Sequence, residues 1–475
     1  MADGAAADGL TERSAGELAA LIRRREVSPV EIVEAFLARI EAVNPSLGAY
    51  VTVTAELALA RAAAAERGVM TSAPDDLGPL HGVPVSIKEL SDTAGVPTTY
   101  ASRAYAGHVP DADKEAVARL FRAGAVMLGK TNSPEFGLNA TTEGGLFPPT
   151  RNPWDPGRSA GGSSGGAGAA LAARLCPLAE GSDGGGSIRI PAAACGVAGL
   201  KPSRGRISSA PSAGEGWAGF STSGPMARTV ADLALALDAM AGPAVGDPYP
   251  TPNPRRPFAA SLSEALPRLR IGWTTRNPLT EVEPEVAAAV ERVAGELAAM
   301  GHELVEGAPE TRGMWAPFVT IVAAAHTAAI AVPDLDLLGP HPRVLHDIGR
   351  ELSALEYLAA KQETYLLSRQ ALAWFEEFDL LLCPTLPRVA PPLGELDLVG
   401  MDLWDALEPF TAFCFWVNMT GQPAISLPLA WSDAGLPIGV QLVGRQLADS
   451  TLLALAARLE EVFPWHDREP SLGRA

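Results

Sequence analysis

The amino-acid sequence predicts an α/β protein organised around a largely parallel, buried β-sheet. Short apolar runs alternate along the chain with segments in which apolar residues recur at helical spacing, for example between residues 82 and 128. Such alternation is typical of buried strands that are connected by helices. The composition is that of a globular protein, because 47% of the residues are hydrophobic and 19% are charged.

The first half of the chain contains the clearest individual elements. A helix is predicted to begin at Ser28, because Ser28 and Glu31 have the spacing of a capping box. An apolar strand at residues 82–88 follows and ends in a lysine. Residues 114–122 then have helical periodicity, and residues 125–128 form the next predicted strand.

The second half continues the same alternation. We expect helices at residues 229–241, 283–300 and 452–462, and strands at residues 269–273, 379–383 and 437–444. Residues 242–268 are rich in proline and are predicted to form a surface excursion or a linker.

Charge and cysteine usage exclude several function classes. The formal net charge of −18 argues against a nucleic-acid groove, because phosphate binding needs a basic surface. The cysteines lie in apolar surroundings without a C-x-x-C pair, which favours reduced, buried thiols in a cytoplasmic protein over a metal or redox site. These cysteines are Cys176, Cys195, Cys383 and Cys414.

The sequence also argues against a leader peptide and a membrane span. The first nine residues are rich in alanine and lack the basic and apolar regions of a secretory signal. The most apolar stretch, residues 320–333, contains a histidine and is too short to cross a bilayer.

Lysine is scarce in this chain. Of the 37 basic residues only five are lysines, so arginine is used almost everywhere that a positive charge is needed. Arginine stays protonated, whereas a buried lysine can lose its proton and act as a base. Each lysine is therefore a candidate for a special role: Lys88, Lys114, Lys130, Lys201 and Lys361.

Two glycine-rich turns, at residues 161–166 and 183–187, lie about one helix and one strand apart. Glycines in such turns let several backbone N–H groups point at one spot and bind an anion. Neither turn matches a phosphate-binding or dinucleotide-binding fingerprint. An oxyanion beside the Ser187 hydroxyl is the better candidate. Its donors would be the N–H groups of Gly184, Gly185, Gly186 and Ser187.

A serine nucleophile needs a base, and the residues leave two kinds open. Residues 161–165 match the G-x-S-x-G elbow of Ser-His-Asp α/β-hydrolase esterases, which requires a downstream histidine. Lys88 is the stronger base candidate, because it ends an apolar strand and desolvation would lower its pKa. The residues alone equally allow Lys88 to pair with Glu89 or another carboxylate. The histidines available to the elbow are His326, His341, His346 and His466.

Seven motifs together resemble those of the amidase signature family. They lie at residues 82–89, 129–136, 158–166, 183–191, 199–202, 418–424 and 435–441. The resemblance covers nearly the whole chain, and it implies one domain over residues 1–475 with a large central mixed β-sheet covered on both faces by helices. Within it, residues 1–75 would be an N-terminal helical part, residues 76–240 the core with the active site, and residues 241–475 the substrate loops and C-terminal part.

The same resemblance implies a catalytic triad. Lys88 would be the base, Ser163 a proton relay preceded by a cis peptide, and Ser187 the nucleophile. The separations fit those of the family, since 163 − 88 = 75 and 187 − 163 = 24 positions. Ser164 and Asp183 are implied as supporting residues. The reaction would pass through an acyl-enzyme and need no metal or organic cofactor.

One departure from the family pattern bears on the substrate. Many members have Asp-Thr-Gly-Gly-Ser where this chain has glycine at position 184, as in members that hydrolyse nylon oligomers and related secondary amides. We expect the backbone donors to remain in place without the threonine. The expected substrate is a bulky or aryl secondary amide, with carbamates as a further class. Six aromatic residues are candidates for the pocket: Phe147, Trp217, Trp315, Trp404, Phe413 and Trp416.

Two alternatives of other kinds remain. The resemblance also allows the glutamine-hydrolysing subunit of a tRNA-dependent amidotransferase, whose partner chains would hold the RNA. A catalytically silent binding protein would need a missing triad residue, and all three are present. For the hydrolase we expect a small-molecule substrate, no nucleic acid, no membrane, and a monomer or homodimer.

Overall fold

Eleven β-strands form a single sheet in the part of the chain that the structure describes. The computed structural model describes residues 9–330, 332 and 334–471. In chain order the strands are β1 (Tyr50–Val53), β2 (Pro84–Lys88), β3 (Val126–Thr131), β4 (Leu178–Asp183), β5 (Ala198–Lys201), β6 (Thr222–Ala227), β7 (Arg270–Trp273), β8 (Glu303–Glu306), β9 (Leu380–Pro384), β10 (Ala424–Trp431) and β11 (Pro437–Gly444).

Helices surround this sheet. In chain order they are α1 (Ala15–Arg23), α2 (Pro29–Leu47), α3 (Ala55–Thr71), α4 (Glu115–Arg122), α5 (Gly165–Ala172), α6 (Arg189–Cys195), α7 (Val230–Met240), α8 (Phe258–Ser261), α9 (Pro284–Ala299), α10 (Trp315–Ala329), α11 (Pro340–Glu351), α12 (Ala354–Trp374), α13 (Met401–Phe410), α14 (Phe415–Thr420) and α15 (Asp449–Val462).

The sheet is mixed, with the strand order β1-β3-β2-β4-β6-β5-β10-β11-β9-β7-β8. Parallel pairing occurs where β2 meets β3 and β4, and where β7 meets β8 and β9. The other described pairs are antiparallel. The prediction of a largely parallel sheet from helix–strand alternation is therefore wrong, and the mixed sheet implied by the family resemblance is confirmed. Alternation along the chain does not determine which strands become neighbours.

Most elements placed from the sequence are present. The capping box at Ser28 starts α2, and β11 has the bounds 437–444 that the apolar pattern predicted. The predicted strand at 125–128 is longer, because β3 runs through Thr131. The proline-rich segment 242–268 contains one short helix, α8, and otherwise connects α7 to β7.

The structure bears on the expectations about the cysteines and about a membrane span, but not on the one about a leader peptide. All four cysteines are unpaired and buried, as predicted. In the described residues, no helix combines the length and apolarity that a bilayer crossing requires. The expectation of no leader concerns the first nine residues, of which 1–8 lie outside the described part of the chain.

The topology brings the chemically interesting segments to one edge of the sheet. Strands β2 and β4 are parallel neighbours, so their carboxyl ends, Lys88 and Asp183, lie on the same side. Helix α5 follows the first glycine-rich turn, and α6 follows the second. A separate apolar cluster built largely from α10, α12, α13 and α14 covers this edge.

Candidate active site

Lys88 is the last residue of β2, and its side chain is completely buried. The ammonium nitrogen Nζ lies 2.7 Å from the Oγ of Ser163 and 2.8 Å from the Oγ of Ser164. It also lies 3.0 Å from the Oγ of Ser182. The lysine is therefore surrounded by hydroxyl groups, and no carboxylate of the described chain contacts it directly.

This environment favours the neutral amine. Burial lowers the pKa of Lys88 to about 7, and the more distant carboxylates of Glu180 and Asp183 only partly oppose that shift. The alternative of a Lys88–Glu89 ion pair is wrong. Glu89 instead accepts hydrogen bonds of 2.7 and 2.8 Å from the N–H and hydroxyl of Thr99.

The first glycine-rich turn places two hydroxyls beside Lys88. The peptide bond between Gly162 and Ser163 is cis. The N–H of Ser164 donates to the carbonyl oxygen of Ser187 at 3.1 Å, which ties the two glycine-rich turns together. Gly137 packs against this turn, because a Cβ on Gly137 would lie 3.1 Å from the Oγ of Ser163. Ser163 and Ser164 are both buried.

The second turn is organised by Asp183. Its carboxylate accepts a 2.8 Å hydrogen bond from the N–H of Gly186 and a 3.2 Å bond from the N–H of Ile188. The expectation that four N–H groups stay free is therefore wrong for Gly186. Within the described residues, the amides of Gly184, Gly185 and Ser187 donate to no backbone or side-chain acceptor. They remain available to an oxyanion.

Asp183 is itself held by a buried arginine that sequence reasoning left without a role. Arg189 donates to both carboxylate oxygens of Asp183 and also to the side chains of Asn418 and Gln441. Burial alone would raise the pKa of Asp183, but the Arg189 charge and its hydrogen bonds hold that pKa well below its usual range. The signal was in the sequence, because Arg189, Asn418 and Gln441 lie within the motifs at 183–191, 418–424 and 435–441.

Ser187 lines a small apolar cavity of about 40 Å³, the inner chamber. Of the six aromatic residues expected around the site, Trp217, Trp315 and Trp404 line it, and Phe147, Phe413 and Trp416 do not. Phe318 and Phe415, which sequence reasoning did not single out, complete its aromatic wall. The lining residues are Gly137, Leu138, Asn139, Ala140, Gly185, Ser187, Ile190, Trp217, Trp315, Phe318, Trp404, Leu407, Thr411 and Phe415.

A larger cavity of about 380 Å³, the outer chamber, adjoins the first. Its lining is mixed, with tyrosines, serines and the charged residues Asp92 and Lys114. Trp217 lines both chambers. Phe136 lines the outer chamber and the next residue, Gly137, lines the inner one.

Of the histidines offered for an esterase elbow, His326 lines the outer chamber, and none of them lines the inner chamber with Ser187 in the described residues. The Nε2 of His326 is 3.2 Å from the carbonyl oxygen of Pro342, and burial lowers the pKa of His326 to about 4. His466 is half exposed beside Asp467. In the described part of the chain no imidazole contacts Ser163, whose hydroxyl lies against Lys88. The Ser163–histidine pair is therefore wrong for this site. No group of three or more metal-ligating side chains occurs among the described residues either.

Known proteins of several kinds are similar to this chain over nearly its whole length. The family model described as Amidase matches residues 31–453. The 6-aminohexanoate-cyclic-dimer hydrolase of Paenarthrobacter ureafaciens is 38% identical over 491 residues, covering 96% of this chain and 95% of that protein. The acylamidase of Rhodococcus erythropolis is 37% identical, covering 96% and 97%. A glutamyl-tRNA(Gln) amidotransferase subunit of Moorella thermoacetica is 39% identical, covering 97% and 99%.

Solved structures separate these relatives more clearly. A structure of 6-aminohexanoate cyclic dimer hydrolase is 37% identical and matches with a TM-score of 0.92, covering 97% of this chain and 99% of the other. The corresponding amidotransferase subunit of Thermotoga maritima is 28% identical and matches with a TM-score of 0.78, covering 96% of each chain. The backbone of the present chain is thus more similar to the hydrolase than to that subunit.

Proposed function

Because the chain belongs to the amidase signature family of carbon–nitrogen hydrolases, we propose that it cleaves secondary amides carrying bulky or aryl groups through Lys88, Ser163 and Ser187. Ser187 is the nucleophile, Lys88 the base, and Ser163 the relay between them. The short distance from Lys88 to Ser163 and the depressed pKa of Lys88 support these roles.

The first half of the reaction forms an acyl-enzyme. Neutral Lys88 takes the hydroxyl proton of Ser163, and Ser163 takes that of Ser187. The Ser187 Oγ then attacks the amide carbonyl carbon. The N–H groups of Gly184, Gly185 and Ser187 stabilise the resulting oxyanion. The loss of one such donor typically raises a barrier by about 2.7–4 kcal/mol.

The second half releases both products. As the carbon–nitrogen bond breaks, the proton returns through Ser163 to the leaving nitrogen, which departs as an amine. Water, deprotonated by the same relay, attacks the Ser187 ester and releases a carboxylic acid. With a carbamate, the same steps expel the alcohol or the amine and leave the rest of the molecule on Ser187. Water then releases a carbamic acid or a carbonic half-ester, which loses CO₂, so carbamates are a further substrate class.

The apolar, aromatic lining of the inner chamber is the observation from which we infer the substrate class. Its lining contains no charged side chain and five aromatic rings. Glutamine would bring an ammonium and a carboxylate next to this wall, and burying such charges without partners is costly. The part of a bulky or aryl amide that lies beside the scissile bond presents apolar surface to this wall instead. The TM-scores of 0.92 and 0.78 also favour a stand-alone hydrolase over an amidotransferase subunit.

A hydrolysis panel tests this function. The purified protein is assayed with hexanoyl and benzoyl p-nitroanilides, an aryl carbamate, an aryl ester and glutamine. We expect turnover of the anilides and none of glutamine. Turnover of glutamine that equals or exceeds that of the anilides would overturn the proposal in favour of the amidotransferase subunit.

The nucleophile has its own test. Intact-mass spectrometry after treatment with phenylmethylsulfonyl fluoride should show one adduct on the wild type and none on Ser187→Ala. The control is Ser263→Ala, since Ser263 is exposed on the surface. That variant should be labelled like the wild type. An adduct or retained amide hydrolysis in Ser187→Ala would refute the assignment.

A further inference from the structure

We propose that Trp217 determines substrate selection, because its indole ring divides the inner chamber from the outer chamber and admits only a slender, unbranched arm of the amide between them. This inference rests on the proposed function, since it specifies the substrate class of the same site. The sequence identified Trp217 only as a candidate pocket residue, without a role in selecting between substrates.

The two chamber volumes make passage between them necessary. The inner chamber, at about 40 Å³, has room for only a few atoms beside Ser187. The outer chamber is about 380 Å³. An amide with a bulky or long group on one side must therefore extend that group out of the inner chamber. Trp217 is the residue that lines both chambers, so a group that extends from one chamber to the other lies beside it.

The absence of a side chain at Gly184 leaves space for the indole ring of Trp217. A Cβ on Gly184 would lie 2.6 and 2.7 Å from the Cε3 and Cζ3 atoms of the Trp217 ring, which is closer than real contacts allow. The φ angle of Gly184 is not positive, so its backbone conformation does not require glycine. The glycine at this position is therefore explained by the ring: Trp217 occupies the space that the threonine of other family members would need.

The turn that carries the ring is fixed from two sides. Trp217 and Ala218 have φ angles of 48° and 51°, a left-handed conformation that is uncommon for residues other than glycine. Lys361 donates a 2.7 Å hydrogen bond to the carbonyl oxygen of Ala218. Arg204 donates a 2.6 Å bond to that of Gly219. These contacts hold Trp217 as a fixed wall between the chambers.

The outer chamber indicates what the arm can carry. Tyr100, Tyr105 and Phe136 stack on or meet one another edge-on along one side, which suits a flat ring or an extended chain. Serine hydroxyls and the charged groups of Asp92 and Lys114 supply polar contacts. The substrate class is therefore an amide with an unbranched alkyl or para-substituted aryl arm that ends in a polar group.

Isomeric substrates test the wall directly. Hexanoyl and 2-ethylbutanoyl p-nitroanilides contain the same atoms, and N-hexyl and N-(2-ethylbutyl) benzamides vary the amine side in the same way. We expect the wild type to prefer the linear isomer by about tenfold or more in the series whose arm passes Trp217. In Trp217→Ala that preference should fall toward unity through a gain in kcat/KM on the branched isomer. An unchanged ratio in both series would overturn the inference.

A double-mutant cycle tests the link to Gly184. Gly184→Ala should push the ring out of place and lower kcat/KM on the linear isomer. In the Trp217→Ala background the same substitution should cost at least about tenfold less, because the obstructing ring is gone. Equal losses in both backgrounds would show that Gly184 and Trp217 act independently and would contradict the inference.

Controls separate this inference from the proposed function. Trp431→Ala removes a tryptophan that lines neither chamber and should leave the isomer ratio unchanged. Thermal unfolding shows whether each variant folds. If no amide is hydrolysed in a Ser187-dependent manner, the proposed function fails. If hydrolysis depends on Ser187 but Trp217→Ala keeps the wild-type isomer ratio, only the role of Trp217 fails.

Discussion

Arg189 donates two hydrogen bonds of 2.9 Å, one to each carboxylate oxygen of Asp183, and both side chains are completely buried. Asp183 also accepts hydrogen bonds from the N–H groups of Gly186 and Ile188, which lie on either side of Ser187, and so it fixes the turn that carries Ser187. The pair therefore positions Ser187, the proposed nucleophile.

Neutralising one partner of this pair should damage stability and activity together. Asp183→Asn leaves the Arg189 charge buried without its counterion, which typically costs about 3–5 kcal/mol. Urea unfolding followed by circular dichroism measures the loss. We also expect kcat on an anilide to fall, because the turn at Gly186 loses its acceptor. Wild-type stability in Asp183→Asn would contradict this view of the pair.

The pH dependence of catalysis should follow Lys88. Below its pKa of about 7 the amine is protonated and cannot accept the Ser163 proton, so kcat/KM should fall about tenfold per pH unit. Above that value the neutral amine dominates and the rate should reach a plateau. Lys88→Arg should be inactive at every pH, because a guanidinium stays protonated. Initial rates on an anilide across this range measure the profile.

Lys201 provides a matched control for that profile. Burial lowers the pKa of Lys201 to about 7 as well, so its titration could be mistaken for that of Lys88. Lys201 Nζ contacts the carbonyl oxygen of Pro202, at 3.1 Å, and neither Ser163 nor Ser164. Lys201→Met should keep the inflection near neutral pH in whatever activity remains. Loss of the inflection in this variant would assign it to Lys201 instead.

The two hydroxyls beside Lys88 should differ in importance. Ser163→Ala removes the relay and should lower kcat by about 10²–10⁴-fold with little change in KM. Ser164→Ala removes one of the hydroxyl contacts of Lys88, at 2.8 Å, and leaves the relay, so we expect a much smaller loss. Steady-state kinetics on one anilide compare the two variants. A larger loss of kcat in Ser164→Ala than in Ser163→Ala would indicate that Ser164, and not Ser163, is the relay.

Three buried lysines should make the protein more stable as the pH rises above neutral. Burial lowers the pKa of Lys88, Lys130 and Lys201 to about 7, 8 and 7 from a usual value of 10.5. Between these values the unfolded chain binds protons that the folded chain does not, so the free energy of unfolding increases with pH. Urea unfolding at pH about 7, 8 and 9 measures the slope.

Lys130 offers the variant for this measurement. It lies outside both chambers and donates to the hydroxyls of Thr93 and Thr98 at 3.2 and 3.0 Å. Lys130→Met removes one of the three titrating groups, so the slope between pH about 7 and 9 should become shallower. A slope that is unchanged would mean that Lys130 keeps its proton in the folded protein.

Sequence reasoning located the elements of the fold better than their arrangement. Strand β11 and the capping box of α2 were predicted correctly, because apolar periodicity and end signals are local. The parallel character was overestimated, because β4 pairs with β6 and β5 with β10 in antiparallel fashion across intervening segments. No local pattern encodes such pairings.

In the site, too, the residues were predicted from the sequence, whereas the contacts between distant residues were not. Lys88, Ser163 and Ser187 stand in motifs and were singled out from them, and their roles remain the proposal made above. Arg189 donates hydrogen bonds to Asn418 and Gln441, which lie more than 200 positions away in the sequence. These contacts could be identified only in the folded chain. Trp217 carried no motif at all. Its position against Gly184 follows from a left-handed turn that apolar periodicity does not reveal.

The scarcity of lysine has a practical consequence for attaching this protein to a support. Lys88, Lys130 and Lys201 are sealed in the interior, so lysine-directed reagents can reach only Lys114 and Lys361. Lys114 lines the outer chamber, and Lys361 braces the Trp217 turn. Succinimidyl esters that react with a lysine would therefore tether the molecule beside the outer chamber. Exposed acidic residues such as Glu26, Glu310 and Asp467 offer attachment points that do not line the outer chamber.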